Sequence, residues 1–495
     1  MFWNSRFFSN SIESVEWGRF VRLIFDNSNP VIIGSGPSAA VVAEFLVSRG
    51  LIPTIFDAHT EANIDESEAE ELQELGFKSH LKSFNSYQQS SFSNLRYEKN
   101  FMARQSFKFG GFSRVWGATL SIFSNIESWP IEIRPNENDI SFVKNYLNWD
   151  NDLLQLKLSD VNQFDYPFNY ISKMNLKSRS YFAQLAKLGI ASDGANKCVN
   201  FNDCLNGCPV DSIWFAGSSM NKLINEGRVK YIPDSFLHSI KKENNKTILC
   251  FQNSDNEFFE VESEQTYLGL GPIGTAAVLI RSKIISEVNI TDSHTMFVAA
   301  FSLKKTKYQE TINLSRWWIK KTKNLKLAAQ IYAPEKRFAP IAVKKMPKLV
   351  LFKEIIAKLL VAHMHPMLVY FDSQISGTIN LTAQGSDILV IGKLGKGQKR
   401  SIRKSLMGLR LNLVRVGLFI PFFVFKVGYV GTGFHSGSFL KYGVDINEFG
   451  ELHDYKCVHI IDASTLPTIE PGSITPTIMI NAVRIARITQ EKDLE

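Results

Sequence analysis

The feature that most constrains the fold lies near the N-terminus, where a short apolar run leads through glycines into a longer apolar stretch. Residues 31–33 precede the segment Gly34-Ser-Gly36, and an apolar stretch follows over 39–48. A second apolar run, 54–56, ends at Asp57. A strand that turns through glycines into a helix, followed by an acid about 20 residues later, is typical of a dinucleotide-binding βαβ unit. The pattern therefore predicts an α/β fold.

Each residue type in this segment has a mechanical reason. Gly34 makes the tight turn, Gly36 lets the backbone approach a pyrophosphate, and Ala39 keeps the helix close to the sheet. The N-terminus of the helix presents free N–H groups to the phosphates, and Asp57 accepts hydrogen bonds from a ribose. The segment predicts an adenine dinucleotide as cofactor, held by Gly34, Ser35, Gly36, Pro37, Ser38, Ala39 and Asp57.

Length, charge and cysteine content narrow the class of protein. The chain has 495 residues, which exceeds the size at which single cores stop growing, so two domains of one enzyme are expected. A net charge of +8 fits an anionic partner, but no basic motif interleaved with aromatics predicts a nucleic-acid interface. The five cysteines are an odd number and the first residues lack a secretory pattern, so a cytoplasmic location is expected.

Four further segments combine small residues with a few polar ones. They are Gly110-Gly111-Phe-Ser113, Leu270-Gly271-Pro-Ile-Gly274-Thr275, His435-Ser-Gly437 and Ile461-Asp462-Ala463-Ser464. Taken alone, the first is a packing turn and the third is a histidine in a glycine-rich loop. Together with Gly34-Ser-Gly36, their order and spacing resemble the glucose–methanol–choline (GMC) flavoprotein oxidoreductases.

The resemblance implies two domains, one of them discontinuous in sequence. A Rossmann-like FAD-binding domain of α/β class is expected from residues 1–125, 195–290 and 430–495. A substrate-binding domain of mainly antiparallel sheet plus helices is expected from residues 126–194 and 291–429. The quoted motifs all fall in the first domain, so the identity of the substrate is expected to depend on the second.

The same resemblance implies FAD, and the transfer of a hydride from the CH–OH carbon of an alcohol to the flavin. A dehydrogenase is favoured over an oxidase. In the family, the histidine that matches His435 lies above the flavin and acts as base toward the substrate hydroxyl, which suits a side chain whose pKa lies near working pH. The resemblance further implies cofactor contacts for Gly110, Gly111, Ser113, Gly271, Asp462, Ala463, Thr475 and Thr477.

The chain departs from the family at the second catalytic group. The family places His or Asn four residues before the threonine of a Thr-Ile pair, and counting back from Thr477 gives Ser473. A serine hydroxyl can hydrogen-bond to the substrate oxygen, but it carries no charge and reaches less far. Either Ser473 or Thr475 substitutes for that group, or the chemistry is weakened.

Two other functions stay open at this point. An NAD(P)H-dependent flavoprotein predicts a second dinucleotide motif, and the sequence shows none. A flavin-binding accessory protein without alcohol oxidation is favoured by the serine at position 473. The expected partners are a small-molecule alcohol, including a sugar or a glycan- or lipid-linked alcohol, and an electron acceptor that the sequence does not identify.

Several cysteines and histidines resemble metal ligands. Cys198, Cys204 and Cys208 have no fourth ligand nearby. Their spacing also differs from the two-residue spacing of structural zinc pairs, so a structural turn is predicted. His363 and His365 alternate in a predicted strand of the second domain, and no further ligand is identifiable. No metal site is predicted.

Two segments combine basic and apolar residues. From Lys393 to Arg410 there are seven basic residues and no acid, and residues 416–425 are ten uncharged, mainly apolar residues, too short to cross a hydrocarbon core of ~30 Å as a helix. Residues 336–362 repeat the pattern. One interpretation is a core helix with a solvated basic stretch, and the other is peripheral contact with the inner face of a membrane.

Overall fold

The computed structural model describes a large part of the chain. The described residues are 12–17, 20–25, 29–59, 94–98, 105–114, 116–149, 180–185, 187–191, 195–199, 208–244, 246–303, 317–321, 325–332, 352–421, 430–431 and 433–492. Cys204 lies outside them, as do residues 336–351 and 422–425 of the basic and apolar segments.

Helices and strands alternate along much of the described chain. The helices are Pro37–Ser48 (α1), Glu137–Tyr146 (α2), Ala216–Asn225 (α3), Gly271–Arg281 (α4), Lys353–Val361 (α5), Lys396–Val416 (α6) and Thr475–Lys492 (α7). The first twelve strands are Ile12–Trp17 (β1), Phe20–Phe25 (β2), Val31–Ile33 (β3), Thr54–Phe56 (β4), Leu95–Tyr97 (β5), Thr119–Leu120 (β6), Tyr181–Leu185 (β7), Lys187–Leu188 (β8), Lys230–Ile232 (β9), Phe236–Glu243 (β10), Lys246–Gln252 (β11) and Phe258–Glu262 (β12). The remaining strands are Thr266–Leu268 (β13), Glu287–Asp292 (β14), Thr295–Ser302 (β15), Trp317–Lys321 (β16), Leu327–Ile331 (β17), Met364–Phe371 (β18), Thr378–Gln384 (β19), Asp387–Lys393 (β20), Leu418–Phe419 (β21), Ser436–Gly437 (β22), Glu451–Leu452 (β23) and Tyr455–Ile460 (β24).

A mainly parallel sheet forms the centre of the fold. Its order is β23-β24-β13-β3-β4-β9, and every neighbour pair is parallel except the antiparallel edge strand β23. All residues of β3, β4 and β13 are buried, as expected for strands that are covered on both faces. The predicted strand, glycine turn, helix and strand are therefore present as β3, α1 and β4.

The two faces of this sheet have different covers. Ile32 and Tyr267 pack on the side of α1 and α7, which contact each other. Val31 and Leu268 pack on the opposite side, in a core shared with the sheet β1-β2-β12-β11-β10. This layering explains why β3 is apolar without alternation, since side chains on both of its faces are removed from water.

Two further sheets lie beyond this centre. One has the order β22-β14-β19-β20-β5, and the other, which is antiparallel throughout, has the order β21-β15-β18-β17-β16-β7. Met296, Val298 and Ala300 alternate along β15 and share a core with the inner face of α6. The chain is thus a mixed α/β protein, and the predicted boundaries between two domains stay a prediction.

The helix α6 has clear start and stop signals. The side chain of Gln398 accepts the N–H of Gly395 just before the first turn. The helix ends at Gly417, which has a left-handed φ of +93°, a conformation that glycine adopts without strain. No helix in the described part of the chain has the length and apolar character needed to span a bilayer.

Candidate active site

A cavity of about 550 Å³ lies at the carboxyl ends of the central parallel strands. It is lined by residues that directly follow β3, β4, β13 and β24, which is where ligands bind in open α/β sheets. Among the residues predicted for the site, those that line it are Gly34, Ser35, Gly36, Pro37, Ser38, Asp57, Gly111, Ser113, Gly271, His435, Asp462, Ala463, Ser473 and Thr475. Ala39, Gly110 and Thr477 lie behind this lining.

The turn after β3 presses closely on the end of β13. Gly34 has a φ of +98°, and a Cβ added there would lie 2.8 Å from the carbonyl oxygen of Gly269. A Cβ added at Gly269 would in turn lie 3.2 Å from the Cβ of Ala39, in the first turns of α1. Only small residues therefore allow β3, β13 and α1 to meet at this point.

Gly36 and Gly111 bring two stretches of backbone together at the cavity. A Cβ added at Gly111, whose φ is +56°, would lie 3.4 Å from the Cα of Gly36. A Cβ added at Gly36 would meet no atom within 4 Å, so this backbone faces open space. We call Gly34, Gly36, Gly111 and Gly271 the glycine wall, because here the cavity is bounded by backbone rather than by side chains.

The second glycine turn is fixed by two serines. The hydroxyl oxygen of Ser35 accepts the N–H of Gly110 at 2.9 Å. The hydroxyl of Ser113 donates to the carbonyl of Gly110 and accepts the N–H of Ala216 at 3.0 Å, at the start of α3. A Cβ at Gly110 would overlap the ring of Phe215, so that glycine has a packing reason of its own.

Asp57 sits at the end of β4 as predicted, but it already has protein partners. The Tyr231 hydroxyl donates to Oδ2 of Asp57 at 3.1 Å, and the Ser35 side chain also hydrogen-bonds to this carboxylate. Burial raises the pKa of Asp57, an effect that these hydrogen bonds oppose. The sequence reasoning missed Tyr231, which the pairing of β9 beside β4 brings to the carboxylate.

Asp462 joins two elements at the cavity. Its Oδ2 accepts the hydroxyl of Thr275 in α4 at 2.5 Å, and its Oδ1 accepts the N–H of Ser464 at 2.8 Å. A backbone hydrogen bond from Gly271 also reaches this carboxylate, and burial raises its pKa. The carboxylate therefore holds the N-terminus of α4 beside the end of β24, and its predicted contact with a pyrophosphate stays a prediction.

His435 lies in the loop before β22 and lines the cavity. Its ring stacks on the ring of Tyr370, with centroids 5.1 Å apart and planes 16° from parallel. Its Nδ1 is buried and has no hydrogen-bond partner among the described residues. Burial lowers the pKa of His435 to about 4, so the imidazole is neutral and able to accept a proton at neutral pH.

The backbone around His435 is held from one neighbouring loop. The N–H of Ser293 donates to the carbonyl of His435 at 2.7 Å, and the hydroxyl of Ser293 donates to the carbonyl of Phe371 at 2.7 Å. Because Phe371 follows Tyr370, Ser293 fixes both partners of the stacked pair. This arrangement places the imidazole without any side-chain hydrogen bond to its Nδ1.

The predicted residues around α7 separate into two groups. Ser473 and Thr475 line the cavity, and Thr475 is the first residue of α7. Thr477 is fully buried, and its hydroxyl oxygen accepts the N–H of Phe123 at 3.0 Å. Thr477 therefore joins α7 to the segment after β6 and does not line the cavity, and its predicted contact with the cofactor stays a prediction.

Sequence reasoning missed a group of polar side chains that line the cavity. The Oε1 of Gln330 accepts the hydroxyls of Tyr332 at 3.0 Å and Tyr370 at 2.9 Å. Its Nε2 donates to the hydroxyl oxygen of Thr119 at 2.7 Å. We call Thr119, Gln330, Tyr332 and Tyr370 the tyrosine wall. One signal was available, since Gln330 is the single polar residue of the apolar strand β17, and a polar residue in a buried strand needs partners.

Another missed residue lies beside α4. Gln105 is buried and lines the cavity, and its Oε1 has no hydrogen-bond partner among the described residues. An unpartnered amide oxygen costs free energy unless a ligand or water satisfies it. Gln105 is therefore a candidate ligand-binding residue, for which a glutamine in a non-periodic segment gave no sequence signal.

The other candidate ligands do not form a cluster. His365 is buried with Nε2 2.8 Å from the hydroxyl of Ser302, while Nδ1 of His363, just before β18, is 2.9 Å from the carbonyl of Ser302. Neither histidine lines the cavity. Cys208 accepts the N–H of Ser212. In the part of the chain that the structure describes, no three His, Cys, Asp or Glu side chains are placed to hold a metal ion.

The architecture is shared with solved structures. One of them is the crystal structure of pyridoxine 4-oxidase from Mesorbium loti. The superposition covers 94% of this chain and 99% of the oxidase chain, at 13% sequence identity and with a TM-score of 0.58. At this identity the likeness shows the fold alone, and that fold is the GMC-like one expected from the motifs. No protein-family model matches the chain, and neither does any curated protein sequence.

Proposed function

We propose that this protein is an FAD-dependent oxidoreductase of the GMC type that acts on the CH–OH group of an alcohol. The observation that carries the proposal is that one cavity is bounded by the glycine wall and also holds His435 and Ser473. The motifs lie far apart in the sequence, and the fold brings them to the same space. The shared architecture with pyridoxine 4-oxidase supports an alcohol as the substrate class.

The residues at the cavity fit a flavin dinucleotide. Gly36 leaves backbone facing open space, as close approach of a pyrophosphate requires, and Gly111 lies directly beside it. The N-terminus of α1 follows at Pro37, and a helix N-terminus favours phosphate through its free N–H groups and dipole. The unpartnered Oε1 of Gln105 offers a further acceptor. These residues, with the Rossmann-like turn at Gly34, would hold FAD, which accepts a hydride when bound.

The roles of the chain's own residues follow from their positions. His435 is neutral at working pH and would take the proton of the substrate hydroxyl, while its stacking on Tyr370 keeps the ring oriented. Ser473 would hydrogen-bond to the substrate oxygen, with Thr475 as an alternative hydroxyl. The N-terminus of α7 would favour negative charge at this end of the cavity.

The test starts with the purified protein reconstituted with FAD. Its visible spectrum is recorded without oxygen, before and after addition of benzyl alcohol, pyridoxine, sugars and simple primary alcohols. Bleaching of the flavin bands by one class of alcohol supports the proposal and identifies that class. Failure to retain flavin contradicts it, and so does retention of flavin that NADH or NADPH bleaches while no alcohol does.

A further inference from the structure

One face of the antiparallel sheet forms a wall of the cavity. In the register of β15, β18 and β17, Phe297 lies opposite Leu368, which lies opposite Gln330. Directly opposite residues share a face of a sheet, and so do residues two apart on one strand. The opposite face, which includes Val298 and Val369, packs in the core with α6. We call the residues of the first face that line the cavity the sheet face; they are Thr295, Phe297, Gln330, Tyr332, Leu368 and Tyr370.

The sheet face has no charged side chain. The charged residues of the cavity lining lie elsewhere, since Asp57 and Asp462 follow β4 and β24, Lys108 precedes the second glycine turn, and Arg281 is the last residue of α4. A charged group bound against the sheet face would lose its water without gaining an opposite charge, which is unfavourable. The sheet face therefore favours an uncharged ligand.

The direction of the hydrogen bonds in the tyrosine wall is fixed from one end. The hydroxyl of Thr119 donates to the carbonyl of Gly117 at 3.3 Å, and a carbonyl can only accept. The oxygen of Thr119 therefore accepts the Nε2 of Gln330, so the Oε1 of this amide faces Tyr332 and Tyr370. Each tyrosine has a single hydroxyl proton, and both protons are donated to this one oxygen.

Tyr370 consequently offers the cavity a hydrogen-bond acceptor. Its hydroxyl oxygen keeps lone pairs after its proton is donated to Gln330. Its ring contacts Trp318 and His435, with centroids 5.5 Å and 5.1 Å away, so packing fixes the position of the side chain. A ligand atom that meets this oxygen has to be a donor, because two acceptors that face each other form no hydrogen bond.

We infer that the substrate is an uncharged alcohol with a second hydrogen-bond donor, which donates to the hydroxyl oxygen of Tyr370. The reacting hydroxyl is the one that the proposed function places at His435, and the assignment rests on that function. Because the rings of Tyr370 and His435 are stacked with centroids 5.1 Å apart, one small molecule can reach both. A ligand without the second donor would remove water from the Tyr370 oxygen without replacing its hydrogen bond, which lowers affinity.

The test is isothermal titration calorimetry of substituted benzyl alcohols into protein reconstituted with FAD. The flavin is first reduced with dithionite, so that it takes no hydride and the heat reports binding alone. Hydroxybenzyl and aminobenzyl alcohols supply the second donor, whereas methylbenzyl alcohols have nearly the same size and lack it. Among the ortho, meta and para isomers, the one that reaches Tyr370 is expected to bind about tenfold tighter with the donor than with the methyl group. Hydroxymethylbenzoate, which is charged, is expected to bind more weakly than all of these.

Two variants and one control locate the effect. Tyr370→Phe removes the acceptor and keeps the ring on His435, so the preference for a donor is expected to fall below about twofold. Gln330→Met frees the tyrosine protons, so methoxybenzyl alcohol, whose ether oxygen only accepts, is expected to bind about fivefold tighter than ethylbenzyl alcohol of the same size. The unchanged protein should bind these two alike. The control is Tyr181→Phe, at a buried tyrosine of β7 that packs in the core with α6 and does not line the cavity, and it should keep the preference for a donor.

Several results would overturn the inference. One is a donor compound that binds no tighter than its methyl counterpart in any isomer. Others are a preference that persists in Tyr370→Phe, tight binding of hydroxymethylbenzoate, and a protein that binds none of the compounds.

These results are separable from the proposed function. Loss of flavin, or a flavin that no alcohol reduces, contradicts the proposed function, whereas the preference for a donor is a ratio of two affinities that needs no hydride transfer. Because the residues of the tyrosine wall all belong to the chain, the same titration can also be made on protein without flavin.

Discussion

The glycine wall and the tyrosine wall bound the same cavity but use different physical means. The glycine wall bounds the cavity with backbone, and at Gly34 an added Cβ would lie 2.8 Å from the carbonyl oxygen of Gly269. The tyrosine wall presents side chains whose positions depend on strand pairing, with Gln330 on β17 and Tyr370 on β18 joined by one hydrogen bond. Backbone contact restricts the residue type at one position, whereas side-chain contact requires only that the fold bring suitable groups together.

The largest effect is expected from the glycine wall. The substitution Gly34→Ala forces a positive φ and a contact with the carbonyl of Gly269, so we expect unfolding in urea to become easier by about 3 kcal/mol and flavin to be lost. The control is Gly385→Ala, where φ is also positive at +64° but no atom lies within 4 Å. If both variants lose the same free energy of unfolding, close packing against Gly269 is not the reason why position 34 requires glycine.

A large catalytic effect is expected at His435. The substitution His435→Asn removes the proposed base, and we expect alcohol-dependent reduction of the flavin to slow on the order of a hundredfold with flavin still bound. His453→Asn, at an exposed histidine, should leave the rate unchanged. Stopped-flow absorbance without oxygen measures the rate of flavin reduction in both variants. An unchanged rate in His435→Asn would show that His435 is not the base.

The pH dependence tests the same residue without mutation. Because burial lowers the pKa of His435 to about 4, the neutral and proton-accepting form is present above that pH and is lost as pH falls through it. The reduction rate is expected to be level from pH 5 to 8 and to drop by half near pH 4. A midpoint near 6.5, the ordinary histidine pKa, would mean that the imidazole is solvated.

A moderate effect is expected where Asp462 joins α4 to β24. The substitution Thr275→Val removes a donor to a buried carboxylate, so we expect a loss of about 2 kcal/mol in the free energy of unfolding. Thr489→Val is the control, because that hydroxyl donates only to the helix carbonyl of Ile485. Urea titration measures the free energy of unfolding of both variants. Equal losses would show that the hydrogen bond from Thr275 to Asp462 does not contribute to stability.

The smallest effect is expected in the tyrosine wall. The substitution Tyr370→Phe keeps the ring stacked on His435 but removes the hydrogen bond to Gln330, which keeps Tyr332 as a partner. We expect a stability loss of about 1 kcal/mol and a change in KM that exceeds the change in kcat. Tyr370→Leu, which also removes the stacking, should lower kcat further, and identical kinetics for the two variants would show that the stacked ring does not orient His435.

The sequence predicted the parts of the molecule that local rules determine. The β3-α1-β4 unit could be predicted because buried strands, a glycine turn and a helix leave a periodic pattern. The convergence of His435 with Gly34 was predicted only through the order of motifs in a known family. The hydrogen bond from the N–H of Phe123 to the hydroxyl of Thr477 could not be predicted, because position in a helix does not reveal a partner that is remote in sequence.

Other features could not be predicted because they are long-range. The hydrogen bonds of Gln330 join residues from strands that are remote in sequence. The hydrogen bond from the Tyr231 hydroxyl to Asp57 forms only because β9 pairs beside β4. The basic segment had two interpretations, and the one that places it at a membrane stays a prediction. The inner face of α6 is core, while its outer face exposes cations and apolar side chains together.

The most direct test of the central claim is a crystal structure of the protein reconstituted with FAD. We expect the pyrophosphate at the N-terminus of α1, beside Gly36 and Gly111, and the flavin ring between the glycine wall and His435. FAD bound elsewhere, or a flavin ring that His435 does not face, would contradict it.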